Sequence, residues 1–169
     1  MYEIMICPIK KLYRYAEDGD MSDVAVLAVS SYDIRMDKLR AFCGTLCLNF
    51  ADITQASAPF AFTKDTARKI AAYVKELPAR LDTLFVCCDS GESRSTAMSA
   101  AIMRYNGMDE MKIWKNPHYH PNTLVYSLLC EALGVPVSET ELQEKHRISE
   151  KAFSDAINQN RKLFPCQTD

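Results

Sequence analysis

The stretch Thr83-Leu84-Phe85-Val86-Cys87-Cys88-Asp89-Ser90-Gly91-Glu92-Ser93-Arg94-Ser95-Thr96-Ala97-Met98 decides how this chain is read. Its first half, Thr83 to Cys88, is a short run of apolar and β-branched residues without polar alternation, the pattern of a strand buried on both faces. Its end, continuing from Ser95 to Tyr105, is rich in Ala and Met and stops near Gly107, as a closely packed helix would. Between them lie small and polar residues with Gly91 at the centre, where a left-handed turn or a close backbone approach requires no side chain.

Working outward, Val24 to Ser30 has the same continuous apolar character. Tyr2 to Cys7 and Thr45 to Phe50 complete the strand candidates. Thr63 to Leu77 places Ala67, Ile70, Ala71, Val74 and Leu77 at helical spacing between a Thr63 cap and Pro78. From Asp109 onward no strand is expected, and helices are predicted over Asp109 to Lys115, Pro121 to Leu133 and Ser138 to about Asn160. The expectation is an α/β fold, residues 1–169 forming one domain, with a central, mostly parallel sheet of four to five strands flanked by helices and a helical C-terminal half.

Composition narrows the function. With 48% hydrophobic residues the chain can build a core, and its 20 basic and 22 acidic residues are interspersed. No basic block points to nucleic acid or to a membrane surface. The apolar N-terminus lacks a preceding basic segment and a small-residue cleavage site, so it is not read as a leader, and no run reaches the roughly 18 residues of a membrane span. Seven cysteines, without paired CxxC motifs, suit a reducing cytoplasm better than a disulfide framework. The three histidines show no metal-ligand spacing, so neither a metal nor another cofactor is expected.

The segment from Cys88 to Arg94 has the layout of an oxyanion cradle. Attack on a phosphate dianion without a metal requires the protein to supply the positive field, and a turn of inward N–H groups opening into a helix N-terminus does so. The backbone of Asp89, Ser90, Gly91, Glu92 and Ser93 would line the cradle, with the side chains of Asp89 and Glu92 turned outward. Arg94 adds a planar fork for two oxygens. Cys88, in the same field, would be the nucleophile, its thiol pushed below the free value of about 8.5. Ser95 would donate its hydroxyl to the sulfur as leaving group.

CCDSGESRS resembles the His-Cys-x-x-Gly-x-x-Arg-Ser/Thr signature of the cysteine-dependent protein tyrosine phosphatases, and particularly the dual-specificity branch with Ser before the arginine. Cys88, Gly91, Ser93, Arg94 and Ser95 take the positions of nucleophile, loop glycine, serine, phosphate-binding arginine and hydroxyl. Cys87 stands where that family has His. Cys-Asp-x-Gly-x-Ser-Arg-Ser loops also occur in small predicted tyrosine phosphatases of bacteria and phages, and His120-Pro121-Asn122 looks like the helix start found downstream of the signature.

The resemblance implies a phosphotyrosine phosphatase-like fold and hydrolysis of a phosphorylated protein or small phosphomonoester through a phosphocysteine. It also implies an aspartic acid donating a proton from a loop upstream. Asp52, after the strand ending at Phe50, fits that role best; Asp65, in the first turn of a helix, is the runner-up. The alternative to an enzyme is a phosphate-recognising binding module with little turnover, motivated by Cys87. Cys43, Cys47 and Cys87 are read as packing residues in preference to thiols that resolve an oxidised Cys88. Lys10, Lys11 and Arg14 are read as a solvated surface in preference to an anion-attracting one.

Overall fold

A computed structural model describes residues 2–18 and 20–163; Cys166 lies outside them. Four parallel strands, β1 (Glu3–Pro8), β2 (Val24–Ser30), β3 (Gly44–Asn49) and β4 (Thr83–Cys88), form one sheet in the order β1-β4-β2-β3. The two strands with continuous apolar character are the central pair. Every residue of β4 is buried, as is every residue of β2 after Val24. Both sheet faces are covered, which is why alternation is missing there.

Among the described residues the sheet is accompanied by a 3-10 turn at Met36–Leu39 and six α-helices: α1 (Ile9–Asp18), α2 (Lys64–Lys75), α3 (Arg94–Tyr105), α4 (Met111–Trp114), α5 (Thr123–Leu133) and α6 (Glu139–Leu163). Helix α1 was not expected from the sequence. Ile9, Leu12, Tyr13 and Ala16 do repeat at helical spacing, but they continue an apolar stretch that reads equally well as the tail of a strand. Leu12 and Ile9 are buried with Val26, Ala28, Phe85 and Cys87 on one sheet face. Lys10, Lys11 and Arg14 are exposed on α1.

The other face carries the larger core, built by α2, α3 and α5 against β2 and β4. In α3 all residues from Arg94 to Ile102 are buried, and Ala97, Ala100 and Ala101 let the helix lie close to the sheet. Helix α4 is shorter than predicted because the Asp109 carboxylate accepts from Met111 N–H (3.0 Å) just before the helix starts. Helix α5 starts after Pro121, capped by Asn122, whose Oδ1 accepts from Val125 N–H (3.1 Å). It ends at Gly134 in the left-handed conformation (φ 83°). Trp114 and Tyr126 pack edge to face with centroids 5.1 Å apart, in the core as expected of aromatic residues. Among the described residues no helix is long and apolar enough to cross a membrane.

Because all four strands run the same way, their C-terminal ends share one edge. Pro8, Ser30, Phe50 and Asp89 all leave the sheet there, the edge where parallel α/β folds assemble their sites.

Candidate active site

The chain turns from β4 into α3 through Asp89 to Ser93. Gly91 takes φ 78°, and a Cβ added there would lie 2.9 Å from Pro8 N and 3.0 Å from the Cys7 carbonyl carbon. Both reasons for glycine thus apply at this one position: a left-handed backbone and a close approach to the end of β1. Gly91 N–H donates to Cys88 Sγ (3.2 Å), and Ser95 Oγ lies 3.1 Å from the same sulfur. The thiol sits on the floor of the turn with two polar partners.

The carbonyls of the turn are held from outside. His120 N–H and Thr96 Oγ1 donate to the Glu92 carbonyl (2.9 and 2.8 Å), while Ala97 N–H and Thr96 Oγ1 donate to that of Ser93 (3.0 and 2.7 Å). In a trans peptide the N–H points opposite to the C=O, so these bonds turn the Ser93 and Arg94 N–H groups the other way. His120 in the His120-Pro121-Asn122 motif thereby acts through its backbone. The side chains of Ser90 and Glu92 are exposed, Glu92 as predicted.

Asp89 departs from the expectation. Its carboxylate is turned to the strand ends, where Oδ1 accepts from Ser30 Oγ (2.5 Å) and Oδ2 from Ser31 N–H (3.2 Å) and Arg94 Nη2 (2.5 Å). Partial burial raises its pKa, but the bonds from Ser30, Arg94 and Ser31, together with the guanidinium charge, outweigh this and hold it below the ordinary value. Arg94, with its side chain only 5% exposed, also donates through Nη1 to Phe50 C=O (2.6 Å) and Ser31 Oγ (3.1 Å). Of the five guanidinium hydrogens, three are thereby engaged. The Nε–H, which is buried and has no hydrogen-bond partner, and one Nη2–H remain. Ser30 and Ser31 were not singled out in the sequence, where they are ordinary residues ending a strand.

Asp52 stands at the rim. Its Oδ1 accepts from Ser93 Oγ (2.9 Å) and Asn122 Nδ2 (2.7 Å), and its Oδ2 is 4.0 Å from Arg94 Nε. Its loop is closed by Ala51 N–H donating to Phe60 C=O (2.8 Å), with Phe60 in a left-handed conformation (φ 60°). Asp65 lies elsewhere, on the exposed first turn of α2, paired with Arg68 (2.6 Å). A cavity of about 540 Å³ opens beside Asp52 and Ser93, walled by His120, Asn122, His146 and Glu150.

Neither a family model nor a curated protein sequence matches this chain. Solved structures resemble it in fold. One is a crystal structure of PTPMT1 in complex with PI(5)P, at 15% identity over 91% of this chain and 94% of that one, with a TM-score of 0.46. Another is Tk-PTP in the active form, at 17% identity over 88% and 90%, with a TM-score of 0.44. Each is a likeness of fold.

Cys87 points away from the turn, to the opposite sheet face. Its Sγ is 3.4 Å from that of Cys7, and that hydrogen bond together with burial pushes the thiol well above the ordinary range. It is a packing residue, as read. Cys47 is half-buried on β3, its thiol pushed up by burial to about 11. Cys43 is exposed and so does not fit the packing role given to it. Among the described residues no group of three or more His, Cys, Asp or Glu side chains is placed to hold a metal.

Proposed function

We propose that this protein is a phosphomonoester hydrolase that works through a phosphocysteine at Cys88, on a phosphorylated protein or a small phosphomonoester, in the manner of dual-specificity phosphatases. The observation that carries this reading is Arg94: a buried guanidinium fixed on one side by Asp89, Ser31 and Phe50, with Nε–H still unpartnered beside the turn that holds Cys88. A buried N–H left without an acceptor is costly even in a guanidinium whose charge is paired, and an oxyanion relieves that cost.

In the reaction, Cys88 Sγ attacks phosphorus in line with the leaving oxygen, and the P–O bond to that oxygen breaks as the S–P bond forms. Arg94 and the backbone N–H groups of the turn, other than that of Gly91, which points at the sulfur, hold the equatorial oxygens. Asp52, kept at the rim by Ser93 and Asn122, protonates the leaving oxygen. In the second step it takes a proton from the water that attacks the phosphocysteine, and Ser95 stabilises the departing sulfur.

Hydrolysis of p-nitrophenyl phosphate tests this reading. Cys88→Ser is expected to abolish turnover; a variant as active as the wild type would overturn it. The unusual Cys87, which offers the turn no side-chain bond of the kind a histidine makes, favours a second reading as a phosphate-binding module. Phosphopeptide binding without product in a single-turnover experiment would select that reading.

A further inference from the structure

A carboxylate immediately after the nucleophile looks misplaced, because its charge opposes the anion the turn is built to hold. Its contacts resolve the difficulty. All three bonds to the Asp89 carboxylate come from the end of β2 or from Arg94, and both oxygens are engaged. Ser30, which donates to it, is only 3% exposed and also accepts from Tyr32 N–H (2.9 Å). Ser31 is bonded on both sides, its N–H to Asp89 and its Oγ to Arg94 Nη1. Arg94, Asp89 and Ser31 thus close a ring that joins the end of β4, the start of α3 and the end of β2.

We propose that Asp89 is a positioning residue that orients Arg94 for the oxyanion, clamping the guanidinium to the Ser30-Ser31 strand end so that its remaining donors face the turn. This inference rests on reading the turn as a phosphate site. An unrestrained arginine carries substantial rotamer entropy, which an incoming anion would have to overcome. A guanidinium already held in place binds and stabilises charge without that loss. Electrostatically the two effects oppose each other: removing Asp89 removes a repulsion but releases Arg94. The donors saturating the carboxylate and its direct pairing with Arg94 weaken the repulsion, so orientation dominates. Asparagine does not replace it, since one acceptor oxygen cannot serve Ser30, Ser31 and Arg94 together.

Tungstate titration calorimetry on the full chain tests the clamp, because it reads the anion site without requiring turnover. Asp89→Asn is expected to weaken tungstate binding at least tenfold and to lower kcat on p-nitrophenyl phosphate more than it raises KM. In an Arg94→Ala background the same substitution is expected to cause no loss of tungstate affinity, because the loss acts through the arginine; a merely structural role would give equal losses in both backgrounds. Folded Asp89→Asn that binds tungstate as tightly as the wild type, or more tightly, overturns the proposal. Should Asp89→Asn not fold, Ser30→Ala decides: a severalfold weaker affinity supports the clamp and an unchanged one overturns it. Failure of the underlying reading looks different, since the wild type itself would then bind no tungstate or Cys88→Ser would remain active.

Discussion

The Nδ2 of Asn122 lies 2.7 Å from Oδ1 of Asp52, a carboxylate seventy residues earlier in the chain. The same side chain caps α5 through its oxygen. One residue therefore secures a helix end with one atom and the candidate acid with the other.

Asn122→Ala is expected to lower stability by about 1 kcal/mol through loss of the cap. It should also reduce turnover of alkyl phosphates more than of p-nitrophenyl phosphate, whose leaving group needs little protonation. Asn122→Asp keeps the cap but faces Asp52 with a second carboxylate. Equal losses on both substrates with either variant would argue against Asp52 as the acid.

Gly91→Ala meets both a left-handed backbone and the Pro8 and Cys7 main chain at about 3 Å. Backbone strain of this kind costs about 1 to 3 kcal/mol, and the clash must move the turn. Denaturant unfolding should show a loss of that size, together with tungstate binding weakened at least tenfold. Wild-type affinity in a folded Gly91→Ala protein would contradict the tight packing against β1.

Tyr126 donates to Glu110 Oε2 (2.6 Å) at the junction where Glu110 also meets Arg104 (3.0 Å) and Lys145 of α6 (3.2 Å). Tyr126→Phe leaves a buried carboxylate oxygen short of a donor, at a cost of about 1 to 3 kcal/mol. Thermal unfolding should register the loss, while kcat/KM at 25 °C stays within about twofold because this cluster touches none of the candidate catalytic groups.

The Asp89 carboxylate titrates below its ordinary value, burial being outweighed by Ser30, Arg94 and Ser31. A group whose folded pKa is depressed contributes stability that is fully present above its unfolded value, about 3.9, and is lost as pH falls through the folded value. Asp89→Asn should therefore flatten part of the decline in stability below about pH 4. Chemical unfolding between pH 2.5 and 6 measures this; parallel curves for the two proteins would show that the bonds to Asp89 do not persist in solution.

Much of the site was legible because it is contiguous. Cys88, Gly91, Arg94 and Ser95 lie within eight residues, so a buried strand, a turn and a small-residue helix suffice to bring them together, and those three patterns are local. The central strands were readable for the same reason, since burial on both faces leaves a continuous apolar run. Helix α1 was not, because four apolar residues at helical spacing directly after a strand carry two readings and only packing against Val26 and Phe85 selects one.

The sequence by itself determined the turn between β4 and α3 and its order along the chain: strand, glycine, arginine, helix. Only the tertiary structure decided what holds Arg94 and Asp52 in place. Ser30, Ser31, Phe50 and Asn122 are unremarkable where they stand in the sequence, and Asp89 looks like a charge to be turned outward. They become partners because the parallel sheet brings the C-terminal ends of β2, β3 and β4 to one edge, where side chains tens of residues apart fall within hydrogen-bonding distance.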